Sequence, residues 1–291
     1  MSALAAGGVV ILDPPPHDSV ELAAAINSSA ATVCFLVPTQ MRRLLADAPE
    51  DGRLLLPRLR LLIFGGSIVG ADEALKIRGR LTPNLASYYA TSEGGGISVL
   101  HPRDFAEHGD TVGRGTFRVE VEVVDDDDQV LPQNEVGRLR FRGPGVATVF
   151  LDEEGVRQHS PAAGWFYPGD LGSLDSAGFI SLRGREKDLI IRAGINVYPA
   201  EIERVLAAHP AVREAAVTGR PSAVHGEDIA AFVVAGTPVG ADDLLAWCKA
   251  RLAPYKLPRE IHFLPELPKT NFGKVRKSDL AVLPAARSDA P

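Results

Sequence analysis

The first third of the chain alternates short apolar runs with helical patterns, and this alternation constrains the fold more than any other feature. The runs Val9–Leu12, Thr32–Val37 and Leu61–Phe64 are predicted as buried strands, with helices at Ser19–Asn27 and Thr39–Ala46 between them. Alternation of strands and helices is typical of a parallel sheet covered by helices. We therefore predict an α/β fold whose strands are apolar because both faces are covered.

The middle of the chain changes to short strands separated by turn residues. Segments Val119–Val124, Arg138–Arg142 and Phe179–Leu182 are predicted as strands. This pattern is typical of an antiparallel sheet or a small barrel. The four consecutive aspartates Asp125–Asp128 fall where a hairpin turn is expected, so we interpret them as a solvated turn rather than a metal site.

A third pattern begins after Arg185 and predicts a compact α+β unit of about 100 residues. Pro199 suits the first turn of a helix, because its missing N–H would be unpaired there in any case. We place the domain boundary after residue 184, which gives domains 1–184 and 185–291. The predicted elements of the second domain are a strand at Leu189–Arg192, a helix at Pro199–Ala208, strands at Glu214–Thr218 and Ala230–Val234, a helix at Ala241–Leu252 and a strand at Glu260–Leu264.

Composition excludes several classes of protein. The 291 residues carry a net charge of -6, which does not favour unspecific binding to nucleic acid or an anionic membrane. No run approaches the roughly 20 apolar residues of a membrane span. The two cysteines, Cys34 and Cys248, offer no disulfide framework and fit a reducing compartment, so we expect the cytoplasm.

Four segments, taken in order, carry a specific signature. They are SYYATSEGGG at Ser87–Gly96, GWFYPGDL at Gly164–Leu171, GREKDLIIRAGINVYPAEIE at Gly184–Glu203 and LPKTNFGKVRKSDL at Leu267–Leu280. In this order they resemble the adenylate-forming superfamily of AMP-forming acyl-CoA synthetases, luciferases and peptide-synthetase adenylation domains, and the resemblance covers nearly the whole chain. It implies part of the large domain of such an enzyme, with a parallel α/β sheet and a small antiparallel barrel, followed by a small α+β domain.

The first segment matches the family pattern Tyr-Gly-x-Thr-Glu, with alanine for the glycine and serine for the threonine. By this resemblance Tyr89 stacks near adenine, the Ser92 hydroxyl meets the α-phosphate and Glu93 holds Mg²⁺, a hard cation that binds carboxylate oxygens. The upstream turn Gly65-Gly66-Ser67 corresponds to the turn that lines the adenine and acyl pockets. Glycine lets the backbone approach a ligand closely.

The second and third segments supply four further residues by resemblance. Asp170 would accept hydrogen bonds from both ribose hydroxyls, since a carboxylate offers two oxygens. Arg185 would help to hold the ribose or phosphate, and Asp188 would be the hinge about which the small domain rotates. Gly194 would line the tunnel that admits the pantetheine arm of CoA. Pro168 replaces the family threonine before Asp170, so a hydroxyl contact is missing there.

The fourth segment matches the pattern Pro-x-Thr-x-x-Gly-Lys and ends on Lys274. The resemblance implies that this lysine bridges the carboxylate substrate and the α-phosphate. A positive charge offsets the repulsion between two approaching anions. Phe272 is bulkier than the small residue usual at its position. Taken singly, each motif also fits a structural role: a solvated Glu93, a turn aspartate at Asp170, or a surface lysine at position 274.

The resemblance implies an acid–thiol ligase that uses ATP, Mg²⁺, CoA and a carboxylic acid, closer to fatty or aromatic acyl-CoA synthetases than to luciferases. The Ser/Thr/Gly-rich phosphate loop of the family does not occur in these 291 residues. We therefore expect weak adenylation by the chain alone and a separately encoded N-terminal half as a possible partner. Two alternatives stay open: a non-catalytic AMP-binding remnant with a regulatory role, and an adenylation domain that loads a carrier protein.

Overall fold

The computed structural model describes residues 2–14, 16–67, 69–152, 155–158, 164–270 and 274–282. The chain divides into two compact units. The first unit comprises residues 1–121, 141–166 and 175–181, and the second comprises residues 122–140, 167–174 and 182–291. Because the two units interleave along the chain, the predicted domain boundary after residue 184 stays a prediction.

The first unit contains a five-stranded sheet in the order β1-β2-β3-β4-β5. The first three strands are parallel, and β4 and β5 are added antiparallel. This confirms the parallel α/β sheet, whereas the antiparallel hairpin of β3 with β4 was not predicted. The strands are β1 (Val33–Leu36), β2 (Leu61–Phe64), β3 (Leu85–Thr91), β4 (Gly95–Leu100) and β5 (Arg114–Gly115).

Helices precede β1, connect the parallel strands β1, β2 and β3, and lie between β4 and β5. The Asp18 side chain caps one of them by accepting a hydrogen bond from the Glu21 backbone N–H at 2.8 Å. Another begins at Pro38, where proline is tolerated. Residues Met41, Leu44 and Leu62 are fully buried in the core between helices and sheet. The helices are α1 (Ser2–Ala5), α2 (Ser19–Ser28), α3 (Pro38–Ala46), α4 (Ala71–Arg80) and α5 (Phe105–His108).

Two predictions about the first strands are wrong. Val9–Leu12 forms no strand, and its side chains are exposed, with Leu12 at 89% of its full accessibility. Strand β1 forms, but Val33 and Phe35 are exposed rather than covered. Val33 and Phe35 are two residues apart and so lie on the same face of the sheet, whereas Cys34 and Leu36 on the other face pack in the core. An apolar run alone does not reveal which face of a strand another layer of structure will cover.

A second sheet has four strands in the order β11-β10-β7-β6, and β7 and β10 pair antiparallel, as predicted for the middle of the chain. The aspartate run forms the turn after β6, where the Asp125 carboxylate accepts hydrogen bonds from the backbone N–H groups of Asp127 and Gln129 at 2.9 Å. The strands of this region are β6 (Glu120–Val124), β7 (Gly137–Arg142), the hairpin β8 (Val149–Asp152) and β9 (Gly155–Gln158), β10 (Asp170–Leu174) and β11 (Ile180–Arg185).

The C-terminal part of the second unit forms a mixed sheet in the order β13-β12-β15-β14, with β16 parallel to β15. This confirms the small α+β domain. No helix of the described residues is long and apolar enough to cross a membrane. The elements are β12 (Ile190–Arg192), β13 (Ile195–Val197), α6 (Pro199–Ala207), β14 (Val212–Ser222), β15 (Gly226–Ala235), α7 (Ala241–Lys249), β16 (Glu260–Phe263) and α8 (Lys277–Ala281).

Strand β15 is the centre of this sheet, since it pairs with β12, β14 and β16. Both of its faces are buried. Side chains alternate across a strand, so Ala231 and Val233 pack on the face covered by α6 and α7. Phe232 and its neighbours pack on the opposite face with Leu267 and Leu280. A strand that is covered on both faces has a continuous run of apolar residues. This run is why the strand predicted at Ala230–Val234 lies within β15.

We predict that Phe232→Ala lowers the free energy of unfolding of the second unit by about 3–5 kcal/mol, because it empties a fully buried site. Phe263→Ala is the matched control, since Phe263 lies in the neighbouring β16 and is 41% exposed. Its loss should be about 1 kcal/mol. Denaturant unfolding measures both variants, and equal losses would contradict the assignment of this core.

Candidate functional site

In the first unit, two predicted site segments lie at the carboxyl ends of neighbouring parallel strands. The turn Gly65-Gly66-Ser67 follows β2, and Tyr89 lies near the end of β3. A Cβ atom on Gly65 would lie 2.7 Å from the Tyr88 carbonyl oxygen, so only glycine fits this close approach. Open α/β sheets bind ligands at this edge. The placement of these residues therefore suits a ligand-binding role, which stays a prediction.

The turn from β3 to β4 presents Ser92 and Glu93 with exposed side chains. The Thr91 hydroxyl accepts a hydrogen bond from the Gly94 backbone N–H at 2.8 Å, and the Glu93 carbonyl accepts one from the Ala147 N–H at 2.6 Å. These hydrogen bonds fix the backbone of the turn, while the Glu93 side chain remains exposed to solvent. Sequence reasoning missed the structural role of Thr91, although a hydroxyl before a Gly-rich turn is a known local signal.

In the second unit, Asp170 and Arg185 form an ion pair. Asp170 begins β10 and is buried, and the Arg185 Nε lies 3.2 Å from its Oδ1. The Glu186 N–H donates to the Gly169 carbonyl at 2.9 Å, which ties the end of β11 to the start of β10. A buried carboxylate needs such a partner. The motifs assign separate roles to Asp170 and Arg185 and do not predict their pairing.

Lys274 lies in the same unit, and its backbone is hydrogen-bonded to Thr270. The Thr270 N–H donates to the Lys274 carbonyl at 2.8 Å, and the Lys274 N–H donates to the Thr270 hydroxyl at 3.2 Å. Residues Phe272 and Gly273 of the motif lie outside the described residues. The lysine side chain is exposed. Even so, partial desolvation and then the positive charge of Arg185 lower the pKa of its ammonium, while Asp170 works in the opposite direction.

The groups whose charges act on Lys274 form a cluster with an excess of positive charge. The cluster contains three cations, Lys274, Arg185 and Lys187, and two anions, Asp170 and Asp188, so its net charge is +1. We call these five residues the Lys274 cluster. Such an excess favours an anionic ligand.

Three other lysines of this region are held by glutamates, whereas Lys274 forms no ion pair with any residue that the structure describes. The distances are 2.7 Å for Lys256 with Glu201, 2.5 Å for Lys269 with Glu214 and 2.7 Å for Lys277 with Glu203. Lys274 is therefore available for a ligand, although Lys187 and Lys249 likewise form no ion pair with a residue that the structure describes.

Two further predicted residues lie in turns of the second unit. Asp188 ends the 3-10 turn Glu186–Asp188 between β11 and β12. Gly194 lies at the tip of the hairpin of β12 and β13, where its φ is 77° and that of Ala193 is 50°. A two-residue hairpin with positive φ at both positions favours glycine. The hinge role of Asp188 and the tunnel role of Gly194 stay predictions.

The predicted residues thus fall into two groups that are described separately. Gly65, Tyr89 and Glu93 belong to the carboxyl edge of the first sheet, and Asp170 and Lys274 belong to the Lys274 cluster of the second unit. Within the part of the chain that the structure describes, no group of three or more His, Cys, Asp or Glu side chains could hold a metal ion by itself. A cation at Glu93 would have to take most of its ligands from a substrate.

Comparison with known proteins identifies the class of protein. A family model described as "AMP-binding enzyme" matches residues 1–151, and one described as "AMP-binding enzyme C-terminal domain" matches residues 201–274. The chain therefore belongs to the AMP-binding enzyme family, which confirms the resemblance to adenylate-forming enzymes.

Relatives that the chain resembles are named as CoA ligases, CoA synthases and CoA synthetases. The chain is 33% identical over 288 residues to an indoleacetate–CoA ligase of Aromatoleum aromaticum, covering 98% of the chain and 56% of the relative. It is 33% identical to a feruloyl-CoA synthase of Amycolatopsis sp, covering 96% and 57%. The o-succinylbenzoate CoA synthetase of Bacillus subtilis, solved with its acyl-adenylate intermediate, is similar with a TM-score of 0.86 at 30% identity, covering 98% and 58%. The chain spans a little over half the length of these relatives.

We predict that two substitutions in the Lys274 cluster move the pKa of Lys274 in opposite directions. Arg185→Gln removes a repelling cation and should raise this pKa, whereas Asp170→Asn removes an attracting anion and should lower it further. NMR titration of the Lys274 side chain measures both shifts. Asp242→Asn, on the first turn of α7, is the control and should leave the pKa of Lys274 unchanged. Shifts in the same direction would contradict the charge assignment.

Proposed function

We propose that the protein acts as an acid–thiol ligase of the AMP-forming acyl-CoA synthetase type. The observation that carries the proposal is the ion pair of the buried Asp170 with Arg185, two residues that match the family motifs and whose charges act on the motif lysine Lys274. The fold and the family models support the same class.

The proposed reaction has two steps. A carboxylate oxygen of the acid attacks the α-phosphorus of ATP, and the bond to pyrophosphate breaks to give acyl-AMP. The sulfur of CoA then attacks the acyl carbonyl carbon, the carbon–oxygen bond to AMP breaks, and the thiol proton passes to solvent. The products are acyl-CoA, AMP and pyrophosphate.

In the proposed first step, Lys274 lowers the cost of bringing two anions together. Partial desolvation, and then repulsion from the charge of Arg185, lower the pKa of its ammonium. A phosphate and a carboxylate would relieve that repulsion, so the site is electrostatically prepared for them. Asp170 would accept hydrogen bonds from the ribose hydroxyls while Arg185 compensates its charge.

The edge of the first sheet would bind the adenine and the metal. Tyr89 and the Gly65 turn would contact adenine, the Ser92 hydroxyl would meet the α-phosphate, and Glu93 would supply one carboxylate ligand to Mg²⁺. Magnesium commonly binds one or two carboxylates together with substrate phosphates, so a single exposed glutamate fits this role. The metal would neutralise phosphate charge.

We further propose that the acid has an apolar aryl or alkyl body and that the reaction takes place in the cytoplasm. Relatives named for indoleacetate, feruloyl and long-chain fatty acyl groups support the first point. The cysteines Cys34 and Cys248 are free, which fits a reducing compartment.

The 291 residues are proposed to adenylate weakly by themselves. They span 56–58% of the relatives' length and do not contain the Ser/Thr/Gly-rich phosphate loop. Such loops hold phosphates through backbone N–H groups. The polypeptide that corresponds to the remaining part of the relatives, whether separately encoded or not, would supply this contact.

Lys274→Ala tests the proposal. In an active reconstituted form, with the polypeptide that corresponds to the remaining part of the relatives supplied, we predict that acid-dependent exchange of pyrophosphate into ATP falls on the order of 10²-fold or more, because a charge-stabilising group is lost. Thioester formation from supplied acyl-AMP and CoA should change far less, because that step brings no second anion to the phosphate. Lys249→Ala, an exposed lysine at the end of α7, is the matched control and should leave both half-reactions intact.

Three outcomes would count against parts of this account. Equal loss of both half-reactions in Lys274→Ala would remove the specific role of the lysine. Robust pyrophosphate exchange by the 291 residues alone would contradict the proposed need for a further polypeptide. Binding of AMP without either half-reaction, even when that polypeptide is supplied, would favour the non-catalytic remnant.

A further inference from the structure

The hairpin that carries Gly194 is anchored residue by residue to the start of β15. The Ile191 N–H donates to the Glu227 Oε2 at 2.6 Å, and the Ala193 N–H donates to the His225 carbonyl at 2.7 Å. Between them, the Arg192 Nε donates to the Asp228 Oδ1 at 3.2 Å. Three successive residues of the hairpin are therefore held by the segment 225–228.

Asp228 is the common partner in this network. Its Oδ1 also lies 3.0 Å from the His225 Nδ1, and its Oδ2 lies 3.9 Å from the Arg259 guanidinium. The Arg192 Nη1 donates in addition to the Tyr255 carbonyl at 2.9 Å. The Asp228 carboxylate thus fixes both Arg192 of β12 and His225, whose carbonyl accepts the hydrogen bond from the Ala193 N–H.

The network is largely withdrawn from solvent. The side chains of Asp228 and Arg192 are only 15% and 18% exposed. Burial alone would raise the pKa of Asp228, but hydrogen bonds from Ser222 and His225 and the charge of Arg192 hold this pKa below its usual value. Asp228 therefore remains ionised, and loss of its charge would leave Arg192 buried without its carboxylate partner.

The turn that this network holds is conformationally demanding. Ala193 has a φ of 50°, a region that costs a non-glycine residue free energy. Such a conformation persists when its surroundings determine it, and here the surroundings are the bonds to Glu227, Asp228 and His225. Without them the hairpin tip would sample other conformations.

We propose that Asp228 is a positioning residue that, through Arg192 and His225, fixes the Ala193–Gly194 turn for the thioester-forming step. The inference rests on the proposed ligase function, in which Gly194 lines the path of the pantetheine arm. Asp228 itself touches no reacting atom. Its contribution is to hold the turn in one conformation, so that CoA does not have to order it on binding.

The test uses Asp228→Asn and, as a second variant that breaks the same contact from the hairpin side, Arg192→Gln. Amide hydrogen exchange measures the protection of Ile191 and Ala193, and assays of the two half-reactions measure the KM for CoA and the rate of acyl-AMP formation. Asp242→Asn is the matched control, because it removes an exposed aspartate from another part of the same unit.

We expect both variants to exchange the two amides about tenfold faster and to raise the KM for CoA about tenfold, with acyl-AMP formation unchanged. Unchanged exchange in both variants, or an equal loss in the two half-reactions, would overturn the proposal. If the wild-type protein forms no thioester even when the polypeptide that corresponds to the remaining part of the relatives is supplied, the ligase function fails, and amide exchange still decides whether Asp228 positions the turn.

Discussion

The buried carboxylate of Asp170 sets the arrangement of charges in the second unit. A carboxylate whose side chain is only 9% exposed must be paired or neutralised, and Arg185 at 3.2 Å supplies that partner. Pairing Arg185 in this way fixes the end of β11 against the start of β10. The charge of Arg185 adds to partial desolvation in lowering the pKa of Lys274. The anion-binding role that we propose for Lys274 rests on this arrangement of charges.

A second carboxylate, that of Asp228, is arranged in a similar way beside the hairpin of β12 and β13. Asp228 is withdrawn from solvent and is paired with Arg192 and His225, and these contacts hold the hairpin. In both places a largely buried carboxylate is paired with an arginine at the end of a strand, Arg185 in β11 and Arg192 in β12. These ion pairs fix the backbone at the two strand ends.

The sequence predicted the elements that local signals determine, and it failed where a contact with a distant part of the chain determines the structure. Strand β2 and helix α6 were placed well, because a continuous apolar run and a proline at a helix start carry local signals. Val9–Leu12 was misassigned because a strand needs a neighbour, and no local pattern reports one. The motif residues were recognised from their order, but the pairing of Asp170 with Arg185 depends on the register of β10 beside β11, which no spacing along the chain reveals.

The central claim is that the Asp170 carboxylate contributes to a nucleotide site, and titration calorimetry of AMP into Asp170→Asn tests it most directly. The account predicts that the wild-type chain binds AMP and that the variant, with its fold verified, binds about 1.5–3 kcal/mol more weakly because charge-assisted hydrogen bonds to the ribose are lost. An unchanged affinity for AMP in the variant, or a wild-type chain that binds no AMP, would contradict the claim.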